Sequence, residues 1–409
     1  MCSLTWLLIE GAALLAYRII NRTPFSYTEA RERLCATIGS DDAARGLQPA
    51  AGLNWHGLVE VLHPYFGFVA DPHQSEPRWK VAPFGFFGND HVAPIVKRAP
   101  DRVVVGVFGG SFAGVIYPFI KAALEEHGAA AGKPHVVINF ATAGYKQPQQ
   151  LLTLNYLLSL GAEFDIVINV DGFNEVALPL AENVPAKLNP FYPRMWDRRT
   201  ASVVNRGTLR SIGRVEVAIE VKQRWAGLFR DRRLYVSPTL FLLWQTRDRK
   251  LARTIYQLHE KLSADRADAE SFQMHGPEHP TANEEQLCSD LAAAWKNASL
   301  QMKILCEAAG TKYYHFLQPN QYLEGSKPIS EAERKQAVNE ASRYGQAVAK
   351  GYPLFIASGR QLQAAGVNFS DLTRIFADRL EILYGDDCCH TNDEGSAVVT
   401  RRIVETIYR

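Results

Sequence analysis

Four short clusters hold residue types able to carry out acyl transfer. The first is Phe108-Gly109-Gly110-Ser111-Phe112. A serine directly after two glycines, between an apolar run and an amphipathic stretch, sits where a strand gives way to a helix. The glycines permit a tight turn and close backbone approach. A helix N-terminus brings free N–H groups and positive dipole beside the hydroxyl. Such a hydroxyl can act as a nucleophile, or it can simply cap the helix. The glycines do not make a phosphate loop, since neither GxxxxGK(S/T) nor a full GxGxxG is present. The second cluster is Ala143-Gly144-Tyr145, whose glycine can offer an unobstructed N–H or serve as a plain turn residue. The third is Val170-Asp171-Gly172-Phe173-Asn174-Glu175. The Asn174 carboxamide could donate to developing negative charge, worth about 2.7–4 kcal/mol for one such donor, or the segment could be an ordinary Asn/Asp turn. The fourth is Asp386-Asp387-Cys388-Cys389-His390-Thr391-Asn392. A nucleophilic serine needs a base, and the base needs an orienting acceptor. His390 and Asp387, three apart, can supply both; a surface turn is the alternative.

The elements that would position these clusters follow from periodicity. Arg102–Phe108, His135–Phe140 and Phe164–Val170 are β-rich apolar runs suited to buried parallel strands. Phe112–His127 and Gln147–Leu160, between these runs, have helical spacing, with Pro118 marking a kink or a late start. Strands alternating with helices imply right-handed crossovers and a parallel sheet. From about Asn183 to Pro280 the alternation weakens: a Pro- and aromatic-rich loop at Asn189–Arg199, a basic stretch Arg210–Arg233, a helix at Leu240–Leu262 and a loop at Ser271–Pro280. This reads as a helical insertion, its basic run a solvated face or a contact for an acidic lipid or glycan. Alternation then resumes with helix Glu284–Gly310, strand Lys312–Leu317, helix Glu331–Ala349, an ambiguous Leu372–Leu383 and a capped final helix Asn392–Tyr408. The fold class expected is a three-layer α/β/α doubly wound parallel sheet with an insertion. Clusters one to three then lie at the carboxyl ends of successive strands, where open sheets bind ligands, and the fourth lies just before the last helix.

Composition bounds the function classes. The 409 residues are 47% hydrophobic and 22% charged, values of a globular chain. A formal net charge of +2 makes no electrostatic case for nucleic acid. Six cysteines (Cys2, Cys35, Cys288, Cys306, Cys388, Cys389) are too sparse for a disulfide scaffold and show no zinc-type spacing. Cys388 and Cys389 read as small apolar residues lining their turn. His275 and His279 are four apart, but Gly276 and Pro277 between them argue against a metal-binding helix face. No metal or organic cofactor is therefore expected. Asn-x-Ser/Thr matches at Asn21, Asn297 and Asn368 carry no weight. Tyr65, Phe66, Phe68, Phe84, Phe86 and Phe87 are expected to pack on the sheet, or to wall a pocket. Leu4–Ile20 is largely apolar but carries Glu10 and Arg18. It reads either as an inner-membrane anchor, placing the rest outside the cytoplasm, or as a helix packed on its own domain in a cytoplasmic chain.

Taken in order (Ser, Gly, Asn, Asp-x-x-His), the four clusters resemble the blocks of the SGNH hydrolases, also called GDSL-like esterases. The resemblance covers about Val103–Arg409 apart from the insertion. It implies an SGNH/flavodoxin-like sheet and ester hydrolysis, with Ser111 as nucleophile, His390 as base and Asp387 as its partner. The Ser111 and Gly144 N–H groups and the Asn174 amide would form the oxyanion hole. Two blocks depart from the usual pattern: Gly109-Gly110-Ser111 where Gly-Asp-Ser is usual, and Gly172-Phe173-Asn174-Glu175 where Gly-x-Asn-Asp is usual. This marks a divergent bacterial branch. His63-Pro64-Tyr65-Phe66-Gly67-Phe68 and Gly144–Gln150 are similar to segments of bacterial members that often carry an N-terminal membrane segment. The expected organisation is an anchor at 1–23, an extension at 24–100 packing on the domain, and an SGNH domain at 101–409 with its insertion at about 183–280. By the same resemblance the partners are ester substrates, such as an acylated cell-surface glycan or a lipid. The alternatives are an O-acetyltransferase using the same residues, and a silent SGNH domain binding glycan or protein in polysaccharide assembly.

Overall fold

The computed structural model describes residues 2–38, 54–55, 58–73, 81–87, 95–204, 206–267, 272–280 and 283–409. In chain order they form helices α1 (Cys2–Asn21) and α2 (Tyr27–Ile38), then short antiparallel strands β1 (Asn54–Trp55), β2 (Leu58–His63) and β3 (Gly67–Ala70). Next come β4 (Val103–Gly109), α3 (Ser111–Ala130), β5 (His135–Asn139), α4 (Gln149–Ser159), β6 (Ile166–Asp171) and α5 (Phe173–Leu178). Helices α6 (Trp196–Val204), α7 (Arg206–Asp231), α8 (Pro238–Ala267) and α9 (Phe272–His275) follow. After them come α10 (Glu284–Ala308), β7 (Lys312–Leu317), α11 (Glu331–Ala337), α12 (Arg343–Ala364), β8 (Asn368–Asp371) and α13 (Asp393–Ile407). The chain divides into two compact units: Met1–Ala50 with Thr200–Gln273, and Ala51–Arg199 with Met274–Arg409.

The second unit is a three-layer α/β/α domain. Its five strands are all parallel, in the order β5-β4-β6-β7-β8. Counted along the chain this is 2-1-3-4-5, the flavodoxin-like order, with the switch point between β4 and β6. Residues of β4 alternate between two cores, as a pleated strand buried on both faces must. Val104 and Phe108 pack with Leu154 of α4, Trp295 of α10 and Phe355 of α12. Val105 and Val107 pack with Ile116 and Ile120 of α3 and Val399 and Ile403 of α13. The aromatic stretch joins the first core, as expected: Phe66, Phe68 and Phe86 are buried there, whereas Tyr65 is exposed. A buried ion pair, Arg199 to Glu60 at 2.7 Å, lies beside it with the guanidinium over the Phe68 ring.

The structure departs from the expected elements at three places. Helix α6 begins at Trp196, inside the loop expected over Asn189–Arg199. The single helix expected over Glu331–Ala349 is two, α11 and α12, and α12 runs on to Ala364. Gly345, Gly351, Gly359 and Pro353 blur the helical pattern of α12, yet these glycines permit its close packing. A methyl at Gly351 would lie 2.2 Å from Val176 Cγ2, and one at Gly359 2.3 Å from the Phe369 ring. The ambiguous Leu372–Leu383 stretch is turn and irregular structure after β8.

The first unit is helical. Tyr17 of α1, Ala30 and Leu34 of α2, Ala226 and Phe229 of α7, and Phe241 and Trp244 of α8 form its core. Two polar residues of α1, Glu10 and Asn21, bond to neighbouring elements. The Glu10 carboxylate accepts from the Ser237 hydroxyl and from the Thr239 N–H at the start of α8. Asn21 exchanges amide hydrogen bonds with Gln245. Trp6, Leu7, Leu8, Ile9, Leu14, Leu15, Ile19 and Ile20 face outward and are exposed. No helix among the described residues is long and apolar enough to cross a membrane.

Candidate active site

The switch point brings the four sequence clusters to one place. Strand β4 ends at Gly109 in the positive-φ region (φ +147°), where a side chain would collide with the Val170 carbonyl of β6. Gly110 follows as the N-cap of α3, and Ser111 opens the helix. Here glycine is required by contact rather than by dihedral angle: a Cβ on Gly110 would lie 2.2 Å from Asn174 Nδ2. The departure from Gly-Asp-Ser thus has a local reason, since any side chain at Gly110 would displace the Asn174 amide.

The Ser111 hydroxyl and His390 Nε2 are 2.8 Å apart. On the far side of the ring, His390 Nδ1 and Asp386 Oδ2 are 2.5 Å apart. The partner of His390 is therefore Asp386, not Asp387, which corrects the expectation from sequence. The turn explains the difference. Asp386 Oδ1 accepts from three successive N–H groups, those of Cys388, Cys389 and His390, at 3.0–3.1 Å. That capping folds the segment back so that residue i reaches the ring at i+4. A Gly385 N–H bond to the His390 carbonyl closes the loop, and the Tyr384–Thr391 bridge ties its ends. Asp387 instead faces Asn339, whose side-chain N–H lies 3.4 Å from Asp387 Oδ2. Partial burial opposes the Asp386 charge, but the His390 hydrogen bond, the His390 charge and the backbone N–H groups outweigh it. They hold its carboxyl below the ordinary aspartate value.

Asn174 donates from Nδ2 to the Tyr145 carbonyl at 2.7 Å, fixing its carboxamide beside Gly110. Gly144 stands one residue earlier in the same loop, with φ +77° and the Arg194 side chain packed over its Cα. The loop is tied to the Ser111 segment by the Thr142 N–H, which donates to the Gly109 carbonyl at 3.1 Å. Ser111 and His390 are thus in contact, Asn174 stands beside Gly110, and Gly144 lies in the adjoining loop.

Several residues that organise the site escaped sequence reasoning. Glu175 is buried and joins two loops: it accepts from the Gly172 N–H (2.8 Å), the Gln147 N–H (3.0 Å) and the Gln150 side chain (3.0 Å). Burial, reinforced by the charge of nearby Asp171, pushes its carboxyl up to about 8. Lys146 is buried too, and donates to the Pro190 and Tyr192 carbonyls at 2.7 and 2.6 Å; desolvation brings its ammonium down to about 7. Arg194 forms a two-point ion pair with Glu182, which also accepts from the Tyr344 hydroxyl. The run of polar types in Lys146-Gln147-Pro148-Gln149-Gln150 was the one signal of this network. Beneath the sheet edge lies a sealed chain: Ser299 Oγ is 2.8 Å from His315 Nδ1, and His315 Nε2 is 2.7 Å from Asp171 Oδ1. Asp171 also accepts from Trp295 Nε1 and from the Asn169 amide, both at 2.7 Å.

Glu175 yields a stability prediction. Its folded-state carboxyl titrates near 8, whereas an unfolded glutamate titrates near the ordinary value. Between those limits the folded chain keeps a proton that the unfolded chain has lost. Stability should therefore fall as pH rises through that window, by on the order of a few kcal/mol. Glu175→Gln should flatten the slope of unfolding free energy against pH, measured by denaturant titration at several pH values. Parallel curves for the two proteins would show that Glu175 is not the group responsible.

No protein-family model matches the chain, and no curated protein matches it. Among solved structures it is similar to a proposed acylhydrolase from Bacteroides fragilis, at 11% identity over 77% of this chain and 90% of that one, with a TM-score of 0.35. It is also similar to a GDSL-like lipase from Bacteroides thetaiotaomicron, at 12% identity over 78% and 92% of the two chains, with a TM-score of 0.32. Similarity at this level leaves the activity to be read from the site.

Proposed function

We propose that the chain is a serine esterase that hydrolyses carboxylic esters through a covalent acyl-enzyme. The observation that carries this reading is the continuous Ser111–His390–Asp386 hydrogen-bond chain at the carboxyl edge of the sheet. Ser111 Oγ attacks the ester carbonyl while His390 Nε2 takes its proton. The oxyanion forms against the Ser111 and Gly144 N–H groups and the Asn174 amide. His390 then returns the proton to the departing alkoxide, which leaves as an alcohol. Water, deprotonated by the same ring, releases the acid and restores Ser111. Asp386 holds the ring tautomer that keeps Nε2 free to accept. The substrates to screen first are short acyl esters, O-acetylated glycans foremost.

The test is a fluorophosphonate probe on the full chain, with the adduct located by peptide mass. Labelling at Ser111 supports the esterase. A folded protein that stays unlabelled would favour the silent binding domain, and acetyl transfer to a sugar hydroxyl in place of water would identify an O-acetyltransferase.

We further propose that the helical unit docks on an anionic lipid surface through α1. Soluble helices bury their apolar stripe; α1 buries Tyr17 and Ala13, holds Glu10 and Asn21 in hydrogen bonds to α8 and the turn before it, and leaves large apolar side chains such as Leu8 (69%) and Ile19 (71%) exposed. Exposed Arg18, Arg22, Arg232 and Arg233 lie in the same unit and suit phosphate headgroups. The full chain should co-sediment with phosphatidylglycerol vesicles more than with phosphatidylcholine vesicles, and Leu8→Glu with Leu15→Glu should abolish this. Wild-type protein left in the supernatant with both vesicle types would refute it.

A further inference from the structure

We infer that the turn carrying the base is also a site for a thiophilic divalent cation of the zinc class, built from Cys388, Cys389 and His390. Adjacent side chains of an extended strand point to opposite faces. Here the three N–H groups gathered on Asp386 Oδ1 wind the segment into a tight turn, and the two Sγ atoms come within 3.6 Å of each other. Two thiolates on one tetrahedral zinc, with bonds of about 2.3 Å, stand about 3.8 Å apart. The pair's separation is thus close to that of two thiolates sharing one ion. A ring nitrogen of His390 completes a set of three donor atoms lying within 4.8 Å of one another, the one such His/Cys/Asp/Glu group among the described residues. Both thiols are free; Cys388 is partly exposed, as is the His390 ring, and Cys389 lies buried beside them.

Binding replaces the two thiol protons, which pass to buffer, with two metal–sulfur bonds, and involves no oxidant. The third bond takes a lone pair from His390. Ligation at Nε2 removes the base from Ser111; ligation at Nδ1 sends that nitrogen's proton to Nε2, displacing Asp386 and leaving Nε2 unable to accept. Either way, cation binding and proton transfer compete for one ring, so the cation is an inhibitor at the site proposed above. That consequence rests on the esterase reading; the binding itself does not.

The experiment adds Cd²⁺, as the spectroscopic stand-in for Zn²⁺, to the full chain and to the Cys388→Ala/Cys389→Ala variant. Two readouts are followed, the thiolate-to-cadmium ultraviolet band and fluorophosphonate labelling of Ser111. The wild type should gain a band that the variant lacks. Its labelling should fall to background with Cd²⁺ and return with a chelator, while the variant labels equally with and without metal. Equal bands in the two proteins would overturn the site. A band difference with no labelling of either metal-free protein would uphold the site and count against the esterase. If the double variant does not fold, Cys388→Ala alone, at the partly exposed position, should lose the band and the metal sensitivity together.

Discussion

Ser111→Ala should lower ester turnover by about 10⁴- to 10⁶-fold while leaving the fold intact. The size follows from what remains. A serine hydrolase without its nucleophile keeps only its oxyanion donors and its binding contacts, a residue of catalysis of about 10³–10⁴ over water. The stability half of the expectation follows from the surroundings. Gly110, not Ser111, is the N-cap of α3, and it makes no side-chain cap bond. Among the described residues, the hydrogen bond of the Ser111 hydroxyl is to the ring of His390. Alanine is a good helix former at the position vacated. Steady-state kinetics on a short-chain ester, with thermal unfolding alongside, checks both halves. Turnover within about tenfold of wild type in a folded variant would remove Ser111 from the chemistry.

The second large effect separates two neighbouring aspartates. Asp386→Asn should cost about 10³- to 10⁴-fold in kcat/KM, by analogy with loss of the orienting carboxylate in serine hydrolases generally. Asn is the informative replacement because its carbonyl can still cap the N–H groups of Cys388, Cys389 and His390, so the turn survives while the charge is lost. Alanine would remove turn and charge together. Asp387→Ala should change kcat/KM by about threefold or less, since it gives up a single long contact to Asn339. The reverse ranking would return the role to Asp387 and would mean that the turn rearranges when substrate binds.

That pair also shows where reading from sequence stops. Valine-rich strands and the glycines after them put Ser111, Gly144 and Asn174 just past the carboxyl ends of β4, β5 and β6, where the structure has them, because buried parallel strands have few alternatives. The choice between Asp386 and Asp387 depends on which carboxylate caps the turn, a tertiary matter decided by one residue of backbone curvature. Helix α12 was obscured by the same glycines that let it approach Val176 and Phe369. Glu175 drew notice only as a departure from Asp in its block. Its extra methylene carries the carboxylate to the N–H groups of Gly172 and Gln147, and nothing short of the folded loops would reveal that. His315 sat unremarked within a buried strand because its partners lie 144 residues away at Asp171 and on another element at Ser299.

The chain accordingly contains the same three side-chain types linked twice. In the sealed copy the imidazole is used the other way round: serine is on Nδ1 and aspartate on Nε2, whereas at the sheet edge serine is on Nε2 and aspartate on Nδ1. A search by atomic template that ignores ring orientation would score both copies as hydrolytic centres, and only one has a path to solvent. The inner copy is a built-in negative control. Any reagent that acylates Ser111 and spares Ser299 reports access to the site rather than intrinsic serine reactivity, and hydroxyl footprinting of the two should diverge as soon as a substrate-sized molecule is added.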